Sequence, residues 1–188
     1  MKVNATYASE YAMPISAFGS ASLISNVHIT DYEIVGTCYT PQIGGFTSSG
    51  TPTILNSSIS FKSGQVLKTD SYVRYTPPAI LGGICAWASG SPTWENVTVD
   101  FGNIEFRKTD RGYSYDMVFG GLFGLGSIST DNIDNVTIRG NVTVNNYGSG
   151  NTYKASVYIY SSNGYNPNSS NAVVNTMEGV DVSGLTIY

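Results

Sequence analysis

Short runs of alternating apolar and polar residues recur along the chain. The clearest are Ser58–Phe61, Asn96–Val99 and Asn135–Ile138. A period of two residues is typical of a β-strand with one buried face and one exposed face. Strands this short are marginal even as an isolated hairpin. We therefore expect each run to be completed by pairing with further strands elsewhere in the chain.

Glycines recur between these runs at a constant spacing. The pairs Gly44-Gly45, Gly82-Gly83 and Gly120-Gly121 are 38 residues apart (82 − 44 and 120 − 82), and Gly64, Gly102 and Gly140 repeat that step. A fixed period of this length is typical of repeat proteins, in which one supersecondary unit stacks on its copies. We expect the three single glycines to lie at bends that need a positive φ.

Together the two patterns predict an all-β protein, a right-handed parallel β-helix (a β-solenoid) of about five coils with three short strands each. Equivalent side chains of successive repeats should form interior columns. One expected column is Val27, Ile59, Val97, Val136 and Val180, and the next is Ile29, Phe61, Val99, Ile138 and Val182. We also expect almost complete burial of Val97, Val99, Ile104, Val136, Ile138 and Val142. The alternative is an antiparallel β-sandwich, which suits short strands and turns but does not account for the constant step.

The repeat pattern also predicts the domain organisation. Residues 1–14 lack the glycine pair and are interpreted as an N-terminal cap or arm. Residues 15–188 are interpreted as a single domain of five repeats, the first and last of them degenerate. Three stretches exceed what three short strands need: Lys68–Pro78, Arg107–Asp116 and Asn145–Lys154. We expect them to form loops on one side, where repeat proteins commonly bind their partners.

Composition and charge exclude several classes of function. A net charge of −4 with nine basic residues argues against a nucleic-acid partner. No apolar run approaches the ~18 residues of a membrane span, and Met1–Tyr11 lacks the apolar core of a signal peptide. Any export signal is therefore expected to have been removed or never present. Cys38 and Cys85 are too few for a disulfide scaffold, and whether they pair stays open.

The stretch Gly121-Leu122-Phe123-Gly124, followed by Asn135–Val142, resembles the GLUG motif of bacterial surface and adhesin-like repeat proteins. The resemblance extends over Ile43–Val144, but the earlier repeats keep only the first glycine of the core, in Gly45-Phe46-Thr47-Ser48 and Gly83-Ile84-Cys85-Ala86. It implies an adhesive β-solenoid at a cell surface and brings no catalytic residues.

Aromatic residues supply the main candidates for binding. Six candidate residues lie in the predicted loops: Tyr72, Arg74, Tyr75, Asp110, Tyr113 and Tyr115. Tyrosine offers rigid, amphipathic contact area at low entropic cost, although these rings could equally pack over the outer surface. Trp87 and Trp94 are further candidates because aromatic faces stack on sugars. Both could instead have structural roles, Trp87 by filling a corner of the interior.

Candidates for catalysis and metal binding are few. Glu95, Asp100 and Glu105 offer carboxylates, and a suitably spaced pair could cleave a glycosidic bond, but Glu105 alternates with Ile104 and Phe106 and should point outward. His28, the only histidine, is expected on a strand surface, at the position of Thr98 and Thr137. The run Asp131–Asn135 offers oxygen ligands for calcium, yet such turns are common without metal. We expect no metal or cofactor.

These observations predict a non-enzymatic structural or adhesive module on a cell or virion surface, which contacts glycan or protein through its loops. The alternative is a glycan-cleaving β-helix of the tailspike or polysaccharide-lyase kind. Because the strand pattern continues to Ile187, we also expect an uncovered edge that pairs with another copy, end to end or through a neighbour's N-terminal arm.

Overall fold

The computed structural model describes residues 1–5, 13–38, 40–69, 78–108, 117–146, 156–158 and 177–188. Within these ranges the chain forms strands and turns and contains no helix. The strands are β1 (Lys2–Asn4), β2 (Met13–Ile15), β3 (Leu23–Ser25), β4 (His28–Val35), β5 (Thr37–Cys38), β6 (Pro41–Gly44), β7 (Thr47–Ser49), β8 (Thr53–Phe61), β9 (Val66–Thr69), β10 (Ala79–Gly82), β11 (Cys85–Gly90), β12 (Trp94–Lys108), β13 (Met117–Gly120), β14 (Phe123–Ile128), β15 (Ile133–Asn146), β16 (Ser156–Tyr158), β17 (Val180–Asp181) and β18 (Leu185–Ile187).

The strands form three sheets, and every pairing between described strands is parallel. The main sheet has ten strands, in the order β1-β4-β8-β12-β15-β17 with β3, β5, β9 and β18 paired alongside. The second sheet has the order β16-β13-β10-β6-β2, and the third β14-β11-β7. The predicted all-β, parallel architecture is confirmed. Antiparallel pairing, which a sandwich of hairpins requires, does not occur among these strands.

Successive strands of the chain enter the three sheets in turn. In one repeat β6 lies in the second sheet, β7 in the third and β8 in the main sheet; β10, β11 and β12 follow the same succession, and so do β13, β14 and β15. Each strand therefore pairs with its equivalents from the repeats before and after it. This explains how runs of a few residues become stable, since their backbone groups are satisfied by neighbouring repeats rather than locally.

The glycine pairs allow backbone segments to approach more closely than any side chain would permit. A Cβ atom at Gly82 would lie 1.8 Å from the carbonyl oxygen of Cys85, within the same turn. A Cβ atom at Gly83 would lie 1.9 Å from the carbonyl oxygen of Gly121, in the next repeat. The first glycine thus permits the tight turn between two sheets, and the second permits the repeats to stack.

The three single glycines have the predicted positive φ, with values of 81° at Gly64, 61° at Gly102 and 111° at Gly140. The constant step of 38 residues between them is not the structural alignment of the first two, however. The amide of Gly64 donates a hydrogen bond of 2.6 Å to the carbonyl oxygen of Asn103. The repeats therefore differ in length in this part of the main sheet.

The predicted interior columns need a correction in the second repeat, which is displaced by two residues. Ser57, not Ile59, pairs with Val97, and Ile59, not Phe61, pairs with Val99. The displacement arises because the connection that leads into β12 is longer than the one into β8. Before it, Ser49 aligns with Trp87; after it, Ile54 aligns with Trp94.

The core consists of the inward side chains of the three sheets. The six residues predicted to be almost fully buried are each at most 2% exposed, which confirms the prediction for Val97, Val99, Ile104, Val136, Ile138 and Val142. Phe61 belongs to an aromatic column that the sequence pattern did not reveal. Its ring centroid lies 5.3 Å from that of Tyr32 and 5.1 Å from that of Phe101. Such ring pairs add to the stability that burial provides.

A column of left-handed residues runs across the main sheet. Asn26, Asn56, Asn96 and Asn135 have φ values of 55°, 47°, 54° and 49°, and Gly179 follows at 78°. The Asn96 Nδ2 donates to Asn56 Oδ1 at 2.9 Å, and the Asn135 Nδ2 donates to Asn96 Oδ1 at 2.7 Å. Asparagine tolerates this conformation better than other side chains, so the column has a structural role. In the sequence these asparagines were visible only as parts of glycosylation sequons or strand starts.

The N-terminal arm is engaged with its own chain. β1 pairs in parallel with the end of β4, so that Val3 lies beside Ile34. Ala5 is buried, and its amide donates to the carbonyl oxygen of Val35 at 2.7 Å. Residues 1–5 thus extend the main sheet at the first repeat, as a cap would.

Candidate binding cleft

The predicted tyrosine-bearing loops begin side by side at one end of the main sheet. Lys108, the last residue of β12, pairs with Thr69 of β9 and with Asn146 of β15. The candidates Tyr72, Arg74, Tyr75, Asp110, Tyr113 and Tyr115 follow these strand ends and lie outside the described residues. The part of each loop that the structure does describe is therefore its origin, and the three origins are adjacent.

A cleft of about 410 Å³ lies on the outer face of the same strands. Its lining comes from the turn before β9, from β12 and from β15, and includes Gln65, Asn103, Glu105, Arg107, Thr143 and Asn145. Binding sites for small ligands commonly have volumes of ~300–1,000 Å³. The cleft therefore has the size of a ligand site, and its lining is mostly polar.

A register change in β12 shapes this cleft. The pairing of β12 with β15 shifts between Asp100 and Asn103, where Gly102 has a positive φ. The amide of Gly102 donates to Asp100 Oδ1 at 2.8 Å, which holds the irregular segment in place. Bulges of this kind change the direction in which the following side chains point. Here the following residues include Glu105 and Arg107, which line the cleft.

Gln65 closes the cleft on the side of the first repeat. Its Oε1 accepts a hydrogen bond of 3.1 Å from the amide of Ile34, and its Nε2 donates to the carbonyl oxygen of Tyr32 at 3.0 Å. Both contacts satisfy backbone groups of β4 that would otherwise lack a strand partner at this point. Gln65 is consequently a fixed part of the wall.

Glu105 is the electrostatic centre of the cleft. Its carboxylate accepts hydrogen bonds from Arg107 Nε at 2.6 Å, from Arg107 Nη2 and from Asn145 Nδ2. The bond from Arg107 is the main reason why the pKa of Glu105 lies below its ordinary value, and Asn145 contributes in the same direction. A carboxyl group held in its ionised form is a poor general acid. The arrangement therefore suits binding better than proton transfer.

The two tryptophans have different environments. Trp94 is fully buried, and its Nε1 donates to the carbonyl oxygen of Pro52 at 3.1 Å. It offers no ring face to a ligand, which corrects its place among the candidate binding residues. Trp87 is 37% exposed on β11 of the third sheet, not in the interior corner considered from the sequence. It lies between Ser49 and Leu125 in the register and does not line the cleft.

The remaining candidates do not converge on a catalytic constellation. Asp100 accepts a hydrogen bond from Arg139 Nε at 2.8 Å, and Glu95 is exposed. His28 is exposed as predicted, pairs with Ser58 in the register and contacts its hydroxyl at 2.9 Å. Asp131 Oδ2 accepts from the Ser129 hydroxyl at 2.6 Å. Across the part of the chain that the structure describes, no cluster of three metal-ligating side chains is present.

Comparison of the chain with protein-family models, with curated proteins and with solved structures found no match. The resemblance to GLUG repeats stays a prediction. In the ranges that the structure covers, there is no helix long and apolar enough to cross a bilayer.

Proposed function

We propose that the repeats wind into a right-handed parallel β-helix of about five coils, which acts as a non-enzymatic binding module outside the cell, on a cell surface or on a virion. It would bind glycan or protein through its tyrosine-bearing loops. The succession of strands through three parallel sheets supports the β-helix. The low share of charged residues, 12%, is compatible with an extended strand-rich surface of Ser, Thr, Asn and Tyr.

The observation that carries the binding function is the pairing of Thr69, Lys108 and Asn146 on adjacent strands. Because parallel neighbours end at the same edge of a sheet, the three loops begin at one place. Their tyrosines, together with Arg74 and Asp110, can then contribute to one surface instead of three. Tyrosine-rich loops on a rigid scaffold are a common basis for recognition.

The proposal is tested by binding of the fluorescently labelled chain to a glycan array and to a panel of intact bacterial and animal cells. Cells treated with periodate lose glycans and cells treated with protease lose proteins, so the two kinds of partner are separated. The variant Tyr72→Ser/Tyr75→Ser/Tyr113→Ser should lose binding to both. Tyr188→Ser is the matched control, because Tyr188 is 70% exposed at the opposite end of the described chain. Equal binding by the two variants would contradict the proposal.

The enzymatic alternative has no specific observation in its favour, and the same experiment addresses it. Any glycan bound on the array is incubated with the chain and assayed for new reducing ends. Turnover that is abolished by Glu95→Gln or Asp100→Asn would replace the non-enzymatic function by the glycan-cleaving one.

We also propose that the chain associates through the C-terminal edge of the main sheet. β17 and β18 pair with β15, and no described strand lies beyond them. Val180, Leu185 and Ile187 pack on the core but remain partly exposed. Unpaired strand edges with apolar neighbours are templates for pairing with another chain. The engagement of β1 with β4 favours edge-to-edge stacking over exchange of N-terminal arms.

A further inference from the structure

We infer that the cleft on β9, β12 and β15 binds an uncharged sugar residue of a glycan, and that the tyrosine-bearing loops add to this contact. The inference rests on the proposed function, because it deepens the same site. Its own basis is the chemistry of the described lining.

The lining offers hydrogen-bonding groups that match hydroxyls. Asn103 is exposed, and Thr143 and Asn145 are half-buried on the adjacent strand. Amides and hydroxyls both donate and accept hydrogen bonds, as sugar hydroxyls do. Small polar sites of this kind derive their specificity from a few placed groups of the chain.

The charges in the cleft neutralise each other. Glu105 and Arg107 form an ion pair within the cleft, and both belong to β12. An acidic sugar would place its carboxylate or sulfate beside Glu105 and compete with it for Arg107. Like charges in contact are strongly unfavourable at an interface. A neutral sugar meets no such penalty, which is why we assign the cleft to uncharged residues.

The position of the cleft connects it to the loops. Thr143 and Asn145 lie on the last residues of β15, directly before the segment that carries the third loop. Glu105 and Arg107 precede the second loop in the same way. A sugar held in the cleft would therefore lie at the base of the tyrosine-bearing segments, where a ring can stack on it.

The test is a glycan array with three groups of ligands: neutral glycans, glycans with sialic or uronic acids, and sulfated glycans. Affinities for each hit are then measured by calorimetry. The cleft variant is Asn103→Ala/Thr143→Val, and the charge variant is Glu105→Gln. Asp100→Asn is the matched control, because Asp100 forms an ion pair with Arg139 across the same two strands but outside the cleft. Circular dichroism and the thermal midpoint verify that each variant is folded.

We expect the wild type to prefer neutral glycans and the cleft variant to bind them about tenfold more weakly or worse. Glu105→Gln should shift the preference toward anionic glycans, since it leaves the positive charge of Arg107 without its partner. Asp100→Asn should change neither property. If Glu105→Gln does not fold, the cleft variant decides the test, because the Asn103 side chain is exposed.

Two results overturn the inference without affecting the proposed function. One is unchanged binding of neutral glycans by the cleft variant while Tyr72→Ser/Tyr75→Ser/Tyr113→Ser loses them. The other is a wild-type preference for anionic glycans. A wild type that binds no glycan also overturns the inference, and the proposed function then depends on the protease-treated cells. Unchanged binding in the tyrosine variant contradicts the proposed function itself.

Discussion

At the scale of single residues, the asparagine column explains features that composition alone leaves open. Each member has a positive φ, a conformation that costs most L-residues roughly 1–2 kcal/mol. The side-chain hydrogen bonds between Asn56, Asn96 and Asn135 link three repeats at equivalent positions. Gly179 takes the same place in the last repeat without a side chain. The column therefore combines a backbone requirement with a link between repeats.

This combination makes a prediction for Asn96. Asn96→Gly keeps the left-handed conformation but removes two side-chain hydrogen bonds, and should lower the free energy of unfolding by about 1 kcal/mol. Asn96→Ala loses the hydrogen bonds and also strains the backbone, so we expect a loss of about 2 kcal/mol. The measurement is urea denaturation of both variants. If alanine is as stable as glycine at this position, backbone strain has no part in the column.

Glu105 makes the stability of the protein depend on pH. In the folded chain its pKa is lower than the ordinary value of 4.5, chiefly because of Arg107. The unfolded chain therefore takes up the proton at a higher pH than the folded chain does. The stabilisation is present above about pH 4.5 and is lost as the pH falls through the folded pKa.

We therefore expect the thermal midpoint to fall between about pH 6 and pH 3, and to fall less in Glu105→Gln. Glu33, whose pKa is lowered by its hydrogen bond to Lys62, contributes in the same direction. For this reason part of the decrease should remain in the variant. Glu95→Gln, which changes an exposed carboxylate on the same strand, serves as the control. An identical pH profile for wild type and Glu105→Gln would show that the ion pair does not act on stability.

At the scale of elements, β12 and β15 show why alternation is so informative in this protein. Their inward residues are buried, whereas Thr98 and Thr137 between them remain partly exposed on the other face. The two strands pair over nearly their whole length, apart from the register change after Asp100. A single substitution therefore has opposite consequences on the two faces.

Val136→Asp should destabilise the protein by about 4 kcal/mol or more, because Val136 is 1% exposed and a carboxylate there would lack solvent and partners. We expect loss of the β-sheet signal in circular dichroism at room temperature or a much lower thermal midpoint. Thr98→Asp is the control, since its neighbours in the register, Ser58 and Thr137, are uncharged. Its midpoint should change little. Similar stability of the two variants would contradict the assignment of the buried face.

At the scale of the whole molecule, the two ends of the main sheet differ. β1 covers the end of β4 at the first repeat. At the other end, β17 and β18 contribute only two and three residues, and their apolar side chains are partly exposed. The proposed association through this edge depends on that difference.

Light scattering over an about hundredfold range of concentration should show a mass that increases with concentration. Asp181→Lys and Thr186→Lys place charges on the exposed positions of β17 and β18, and should shift the chain toward the monomer. Lys2→Ala, at the opposite end of the sheet, should leave the association unchanged. A monomer at every concentration, with or without the lysines, would contradict the proposed edge.

The sequence by itself determined the strand content, the parallel pairing of equivalent runs and the burial of residues such as Val97 and Ile138. These follow from local alternation and from a period that repeats, and neither depends on distant contacts. The positive φ of Gly102 was likewise predictable, because only the backbone requirement matters there.

Only the tertiary structure decided the register of the second repeat and the composition of the cleft. Ser57 aligns with Val97 because a longer connection precedes β12, and the alternation of apolar residues is the same for a shift of two. The aligned asparagines Asn56 and Asn96 were the sequence signal for the true register. The cleft joins Gln65, Glu105 and Asn145 from three repeats. Their proximity depends on the stacking of strands and on one register change, which no local pattern encodes.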